Sequence, residues 1–303
     1  MTGYKWPTSK NRSRRTLRAG VGAVLLLAAL GPLAACSSDA PGRAGSGTSA
    51  DRPSGSGSGS GDPVRRPPAD AAFDYQLGGP YRPPSKVRAV SRDRTAEPAP
   101  GLYNICYVNA FQAQPGKEAA RWWQREHPEL LLRDEDGRTV VDEDWQEPLL
   151  DISTKEKRSA LADVVGAWIA GCARDGFDAV EPDNLDSYER SDGLLTAADA
   201  ASFARLLTRR SHDEGLAIAQ KNTTDLLDRH RAIGFDFAVT EECARYRECQ
   251  AFEEAYDGRV FDIEYETGDF DAACRSRGKR LSVTLRDRDV RPAGEAGYVY
   301  RHC

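Results

Sequence analysis

The sequence predicts an α/β protein whose main domain is a barrel of eight parallel strands with helices packed outside. Eight short apolar segments alternate with helical patterns from about residue 71 onward. The 233 residues from 71 to 303 also approach the roughly 250 residues usual for a TIM-like (β/α)8 barrel. A doubly wound open sheet is the alternative, but no glycine-rich turn follows its first strand.

The order of the elements follows from local patterns. Thr154 (with Ser153) and Thr196 are expected to cap the two longest helices, since each precedes a charged first turn. The first two connections contain prolines and are expected to be short and irregular. Strands are predicted at 73–77, 87–91, 102–109, 177–183, 216–221, 235–241, 260–265 and 281–285. Helices are predicted at 117–127, 155–174, 196–214, 223–232, 247–257 and 269–277.

Residues 1–35 are expected to be a lipoprotein signal peptide. A basic start is followed by an apolar run over 19–30, which is too short to span a membrane. The run leads into Leu33-Ala34-Ala35-Cys36, which resembles a bacterial lipobox. That resemblance implies cleavage before Cys36, lipid attachment to its thiol and a cell-surface location on the membrane. A plain secretory signal with an incidental cysteine is the alternative.

Residues 36–70 are expected to form a disordered tether after the lipidated cysteine. They are rich in Ser, Gly and Pro and nearly lack apolar side chains, so they cannot bury enough surface to fold. The formal net charge of the chain is −5, and it becomes −11 once the six basic residues of 1–35 are removed. An acidic body repels nucleic acid and attracts cationic ligands. We expect no nucleic-acid partner, and a monomer.

The cysteines fit an exported protein. Six remain after Cys36, and an even number outside the cytoplasm suggests three disulfides, for which 15 pairings are possible. Proximity favours Cys243–Cys249, and Cys274–Cys303 would fix the C-terminus, which leaves Cys106–Cys172. A metal cluster is the alternative, but it lacks Cys-x-x-Cys spacing and nearby histidines. We expect no metal and no cofactor.

Two predicted strands carry an acid at the same position. Each begins Gly-Phe-Asp, at 176–178 and 234–236, and each has an acid seven residues after its glycine, at Asp183 and Glu241. Alternation along a strand places Phe177 and Ala179 on the face of Asp183, and places Phe235 and Phe237 on the face of Glu241. Both strands are even-numbered in the barrel, so the two acids are expected in one layer at the catalytic end.

Glycoside hydrolysis typically uses a facing pair of carboxyl groups. One protonates the leaving oxygen, while the other acts as nucleophile or activates water. A single acid at a strand end is more often a loop cap or an ion-pair partner. The matching register of two acids favours catalysis by Asp183 and Glu241, with their individual roles left open.

The same segments resemble a known family. Val-Glu-Pro-Asp-Asn at 180–184, Glu-Glu-Cys at 241–243, Gln-Lys-Asn at 220–222 and Tyr-Asn-Ile-Cys-Tyr at 103–107 are similar to motifs of glycoside hydrolase family 114. The members of that family are endo-α-1,4-polygalactosaminidases. The resemblance covers roughly residues 73–303. It implies a TIM-like barrel, Asp183 and Glu241 as the acidic pair, and a substrate of α-1,4-linked galactosamine.

Other residues at the strand ends are candidates for binding the sugar. For each of them, structural hydrogen bonding is the competing role. Lys221 would face a cationic substrate unfavourably, which favours the structural role for that residue. The candidates for substrate binding are Tyr107, Glu181, Asn184, Lys221, Asn222, Glu242 and Tyr265.

The sequence thus predicts an exported hydrolase of an amino-sugar polysaccharide with one barrel domain at 71–303. A non-catalytic polysaccharide-binding lipoprotein on the same barrel is the alternative, and a hydrolase of another glycan is a third possibility. Turnover requires both carboxylates, whereas binding does not.

Overall fold

The computed structural model describes residues 64–114 and 116–303. The predicted export signal, Cys36 and most of the predicted tether lie outside the described residues. Among the described helices, none combines the length and the apolar character that a membrane crossing requires. The predicted α/β barrel is confirmed.

Eight parallel strands follow one another around the barrel, and each lies where the sequence predicts a strand. Two short strands, Val141–Asp142 and Glu147–Pro148, form a small antiparallel hairpin in the connection between the third and fourth barrel strands. The strands are β1 Phe73–Gln76, β2 Ala89–Asp93, β3 Tyr103–Asn109, β4 Val141–Asp142, β5 Glu147–Pro148, β6 Ala179–Asp183, β7 Ala217–Lys221, β8 Phe237–Glu241, β9 Val260–Glu264, β10 Ser282–Arg286 and β11 Tyr300–His302.

The helices cover the outside of the strands. The first two connections contain no α-helix, as the prolines predict. The predicted helix 223–232 is a 3-10 turn, Thr224–Arg229, followed by the short α4, and α5 is a further single turn after β8. The α-helices are α1 Lys117–Glu126, α2 Lys155–Asp175, α3 Ala197–Asp213, α4 His230–Ile233, α5 Cys243–Tyr246, α6 Cys249–Tyr256 and α7 Thr267–Arg277.

The two longest helices begin at the predicted caps. The Thr154 side chain accepts a hydrogen bond from the backbone N–H of Lys157 at the start of α2. Thr196 and Asp199 form a reciprocal capping box at the start of α3. These bonds satisfy backbone donors that a helix start leaves unpaired.

The barrel closes between β10 and β1 through side chains. The last strand, β11, pairs antiparallel with β10 and occupies the edge that would otherwise face β1. The Thr284 hydroxyl donates to the carbonyl oxygen of Phe73 at 2.8 Å, and Arg286 Nη1 lies 3.3 Å from Asp74 Oδ1. Arg286 and Asp74 are both fully buried, so the ion pair seals this junction away from water.

Apolar side chains fill the barrel and a second layer outside it. The interior cluster includes Phe73, Ala179 and Phe237. The expectation that Phe177 and Phe235 also face the interior is wrong, because both pack in the outer layer. The regular strands begin two residues later, after left-handed glycines at Gly176 and Gly234, so strand alternation does not extend back to these phenylalanines.

The three predicted disulfides are present. They join Cys106 to Cys172, Cys243 to Cys249 and Cys274 to Cys303. The first links β3 to α2, and the last fixes the end of the chain beside α7. The second joins α5 to the start of α6, two consecutive helices that follow β8.

The described chain starts at the N-terminal end of the strands. Residues 64–70 belong to the tether that the composition predicts, but residues 65 and 66 contact this end of the barrel. Arg65 pairs with Asp178, and Arg66 Nε lies 3.3 Å from Asp236 Oδ1. The Tyr103 hydroxyl donates to the carbonyl oxygen of Arg65 at 2.7 Å. The acids of both Gly-Phe-Asp segments thus hold the incoming chain.

Candidate active site

Three charged side chains meet at the C-terminal ends of neighbouring strands. Lys221, on β7, stands between Asp183 on β6 and Glu241 on β8. Its Nζ atom lies 3.3 Å from Asp183 Oδ1 and 3.5 Å from Glu241 Oε2. The structure therefore brings the two predicted acids to one end of the barrel. Their catalytic roles stay a prediction.

The two acids are the accessible members of this group. The side chain of Asp183 is 17% exposed and that of Glu241 is 30% exposed, whereas that of Lys221 is only 2% exposed. A ligand that enters the mouth of the barrel, the open end at the C-terminal ends of the strands, therefore contacts the two carboxylates first. The lysine neutralises part of their charge from below.

Glu181 lies beneath this group and has no exposed surface. Its Oε1 atom is 2.7 Å from Lys221 Nζ and accepts a hydrogen bond from the Tyr75 hydroxyl, while Oε2 accepts one from Ser91. Burial raises the pKa of Glu181, and the ammonium of Lys221 opposes that rise. The binding of substrate by Glu181 stays a prediction; in this structure its buried carboxylate contacts and positions Lys221.

The charge of Lys221 is maintained by its neighbours. Burial lowers the pKa of Lys221, but Asp183, Glu181 and Glu241 together raise it well above the ordinary value. The side chain therefore stays an ammonium ion. It holds two carboxylates at a short separation that their mutual repulsion would otherwise oppose.

Two tyrosines fix the orientation of the acids. The Tyr107 hydroxyl donates to Asp183 Oδ2 at 2.7 Å, and the Tyr265 hydroxyl donates to Glu241 Oε1. Burial, reinforced by the negative charge of Asp183 and Glu241 respectively, raises the pKa of each tyrosine well above its ordinary value. Both hydroxyls thus remain protonated donors. Each acid has one oxygen on a tyrosine and the other near Lys221.

The comparison with known families agrees with this site. A model of glycoside hydrolase family GH114 matches residues 56–303. The chain belongs to glycoside hydrolase family 114. It is therefore a glycoside hydrolase, and the accessible acid pair of this family 114 hydrolase lies where a barrel enzyme carries its chemistry.

Two solved structures share the fold. One is Aspergillus fumigatus Ega3 in complex with galactosamine, with a TM-score of 0.62 and 23% identity over 81% of this chain and 100% of that one. The other is the glycoside hydrolase domain of PelA from Pseudomonas aeruginosa, with a TM-score of 0.53 and 17% identity over 74% of this chain and 96% of that one. No curated protein sequence matches this chain.

Each of the three central strands of this family 114 hydrolase ends in a left-handed residue. Asn184, Asn222 and Glu242 have φ values of 66°, 46° and 59° and follow Asp183, Lys221 and Glu241 directly. This conformation turns the chain sharply and leaves the preceding side chain at the mouth. It is costly for residues other than glycine, although asparagine tolerates it better than most.

The binding of substrate by these three residues stays a prediction, and the structure gives each of them hydrogen bonds within the scaffold. Asn222 Oδ1 accepts a hydrogen bond from the backbone N–H of Glu241 at 2.8 Å. Asn184 Nδ2 donates to Asn109 Oδ1 at 3.0 Å. Glu242 Oε1 accepts bonds from Arg245 and Arg288. Asn222 in particular links the end of β7 to the end of β8 and fixes the backbone of Glu241.

Glu147 is a site residue that sequence reasoning missed. It lies on β5 and is 4% exposed. Its Oε2 atom accepts hydrogen bonds from Asn109 at 2.9 Å and from Asn184 at 3.4 Å. Burial raises the pKa of Glu147 to about 8, while the bond from Asn109 opposes the rise. Glu147 follows three other acids, Asp142, Glu143 and Asp144, in the same loop, and no local pattern in the sequence distinguishes it from them.

Proposed function

We propose that this family 114 hydrolase cleaves internal α-1,4 linkages in a polymer of galactosamine. The observation that carries the proposal is the pair of accessible acids, Asp183 and Glu241, held at one mouth by Lys221. The galactosamine bound by Ega3, a protein of similar fold, supports an amino-sugar substrate. The acidic character of the folded domain supports it further, because an amino-sugar polymer is cationic.

The acid pair performs the reaction by two-carboxylate chemistry. One carboxyl group donates its proton to the glycosidic oxygen as the bond from that oxygen to the anomeric carbon breaks. The other carboxylate attacks the anomeric carbon or removes a proton from the water that does so. Tyr107 and Tyr265 hold the acids in orientation, and Lys221 stabilises whichever of them is ionised.

The separation of the acids favours retention of the anomeric configuration. Asp183 Oδ1 and Glu241 Oε2 both lie within 3.5 Å of Lys221 Nζ. These two oxygens are therefore at most about 7 Å apart, a bound that includes the separation of roughly 5 to 5.5 Å found in retaining enzymes. We expect NMR of the first product to show the α-anomer. A β-anomer as the first product would contradict this assignment.

Release of reducing ends from polygalactosamine tests the proposal. We expect the wild type to be active and both Asp183→Asn and Glu241→Gln to lose at least about 1,000-fold in kcat, since each removes one of the two carboxyl groups. Asp175→Asn and Glu126→Gln, made at exposed positions on helices, are matched controls and should retain activity. Binding without turnover, or turnover that survives both active-site substitutions, would overturn the proposal.

A glycan panel tests the choice of substrate. Polygalactosamine, its N-acetylated form and an α-1,4-glucan share the linkage. The first two differ only in the 2-substituent, and the glucan differs also in the configuration at C4. If acidic groups recognise the amines, the free amine polymer is the best substrate and added salt weakens its binding. Preference for the acetylated polymer or the glucan would assign this enzyme to another glycan.

We also propose that the protein is exported and anchored through a lipid on Cys36. The tetrad Leu33-Ala34-Ala35-Cys36 and the three disulfides support an extracytoplasmic location. Detergent phase partitioning of the expressed wild type and of Cys36→Ser tests this. We expect the wild type in the detergent phase and the variant in the aqueous phase. Equal partitioning of both proteins would contradict the anchor.

A further inference from the structure

Two buried carboxylates lie behind the strand end that carries Glu241. Asp262 and Glu264 are both on β9, and both side chains are fully buried. Their oxygens lie within 4.8 Å of one another and of the sulfur atoms of Cys243 and Cys249. Those sulfurs are joined in a disulfide, so they are not thiolate ligands for a metal. The carboxylates must be satisfied in another way.

One oxygen of each carboxylate has donors. Asp262 Oδ1 accepts from the Thr240 hydroxyl at 2.8 Å and from the Cys243 N–H at 3.3 Å. Glu264 Oε1 accepts from the Ala244 N–H at 2.7 Å. The remaining oxygens, Asp262 Oδ2 and Glu264 Oε2, are buried and have no hydrogen-bond donor among the described residues. Such acceptors are costly unless something donates to them.

We propose that Asp262 and Glu264 share one proton, and that the bond it makes holds the turn that aims Glu241. The proton satisfies both orphaned oxygens at once. Asp262 accepts two hydrogen bonds on its other oxygen and Glu264 accepts one, so the negative charge is better stabilised on Asp262. Glu264 is therefore the protonated partner and donates to Asp262.

The surrounding charges favour retention of the proton. Among the described residues, the largest effects of other charged groups on the pair come from Glu241 on β8 and Asp269 on α7, and both are acidic. Burial raises the pKa of Glu264, and the negative charge of Asp262 raises it further. Ionisation of Glu264 would place two negative charges side by side in the interior.

The hydrogen bonds that the pair accepts come from residues on both sides of Glu241. Thr240 precedes Glu241, while Cys243 and Ala244 follow Glu242, whose backbone is left-handed. The Glu242 N–H also donates to the carbonyl oxygen of Ile263, between the two acids, at 2.7 Å. Loss of the pair would free the turn on both sides of Glu241. Asp262 and Glu264 are therefore positioning residues, and this part of the inference rests on the proposed function.

Amide substitutions test whether the pair holds one proton between its two carboxyl groups. In Glu264→Gln the amide nitrogen supplies the donor to Asp262, and the amide oxygen still accepts from Ala244. In Asp262→Asn the new amide supplies the donor to an ionised Glu264. We expect each single variant to keep kcat within about threefold of wild type near pH 6, with KM unchanged. The double variant places two NH2 groups face to face and should lose about 100-fold in kcat, as should Glu264→Ala.

The decrease in Tm at alkaline pH tests whether the pair shares a proton, and it requires no substrate. Glu264 has its pKa raised on folding, so the native state binds more protons than the unfolded state and stability falls as the pH rises toward that raised value. Glu264→Gln cannot ionise at this position. The pH at which the alkaline decrease in Tm is half complete should therefore move upward by about one pH unit or more. Glu295→Gln, at an exposed position, is the matched control and should leave the midpoint unchanged.

The two measurements separate the possible failures. If the wild type does not cleave polygalactosamine, the proposed function fails. The dependence of stability on pH still tests the shared proton in that case. The kcat values are then measured on whichever glycan of the panel is cleaved. If Glu264→Gln is as damaged as Glu264→Ala, or if a chelator lowers Tm of the wild type, the shared proton is overturned. If all variants change KM and not kcat, the positioning role is overturned.

Discussion

The ammonium of Lys221 lies 2.7 Å from the carboxylate of Glu181 in the interior of the barrel, where neither side chain reaches solvent appreciably. A buried pair of this kind costs desolvation energy, so it contributes little net stability compared with apolar residues of the same shape. Its value here is geometric. It fixes the Nζ atom at the one point from which both accessible acids are in reach.

Removal of Lys221 alone should therefore lower the free energy of unfolding more than removal of both Lys221 and Glu181. Lys221→Met leaves Glu181 buried without its cation, and we expect it to lower the free energy of unfolding by about 3–5 kcal/mol in a urea titration. Lys221→Met/Glu181→Gln should recover part of that loss, because it removes the unpaired charge. Lys86→Met, on an exposed loop, is the control. Equal stability of single and double variants would show that the pair is uncoupled.

The two tyrosine hydroxyls should contribute to kcat rather than to binding. Tyr107→Phe and Tyr265→Phe each remove one hydrogen bond to a catalytic acid. A bond to a charged group contributes about 1.5–3 kcal/mol, so we expect kcat to fall roughly 10- to 100-fold with little change in KM. Tyr103→Phe removes a hydroxyl at the opposite end of the barrel and should leave kcat unchanged. A rise in KM alone would assign the hydroxyls to sugar binding.

Asn222 combines two functions that substitution can separate. It adopts a left-handed conformation with φ 46°, and its side chain fixes the Glu241 N–H. Asn222→Gly keeps the backbone conformation and loses the acceptor, whereas Asn222→Ala loses both. We expect similar losses of kcat in the two variants, but a free energy of unfolding about 1 kcal/mol lower in the alanine variant. Full activity in the glycine variant would show that the hydrogen bond is dispensable.

The buried carboxyl of Glu147 should make stability dependent on pH. Its pKa is about 8 in the folded protein, above the ordinary value, so the native state binds a proton that the unfolded state releases at lower pH. The contribution of Glu147 to stability should fall as the pH rises from about 4.5 to 8 and then level off, in addition to the fall that Glu264 causes. Glu147→Gln should remove this fall and raise Tm at pH 9 more than at pH 5, as scanning calorimetry would show. Equal shifts at both pH values would indicate that Glu147 does not titrate in this range.

Much of the fold could be predicted because its determinants are local. The alternation along β6 and β8 placed Asp183 and Glu241 at equivalent points, and the rule that barrel chemistry lies at strand ends brought them together. Neither step needs knowledge of distant contacts. The same reasoning failed at Phe177 and Phe235, because it extended strand alternation into the turns that precede the strands.

The parts that could not be predicted depend on contacts between distant residues. Glu147 reaches the site from a hairpin inside a long connection, and its partners Asn109 and Asn184 lie on other elements. The pairing of Tyr75 and Ser91 with Glu181 joins three strands. The terminal strand β11 is three residues long and pairs antiparallel in an otherwise parallel barrel, so no periodic pattern marks it.

The chain enters its folded domain at the end of the barrel opposite the acid pair, where Arg65 and Arg66 are held by Asp178 and Asp236. The strands separate these two ends by about 17 Å at 3.3 Å per residue. Residues 64–66 therefore do not cover the end of the barrel that carries Asp183 and Glu241. A glycan many units long can cross the open mouth in either direction, and its two new ends can leave without passing the incoming segment.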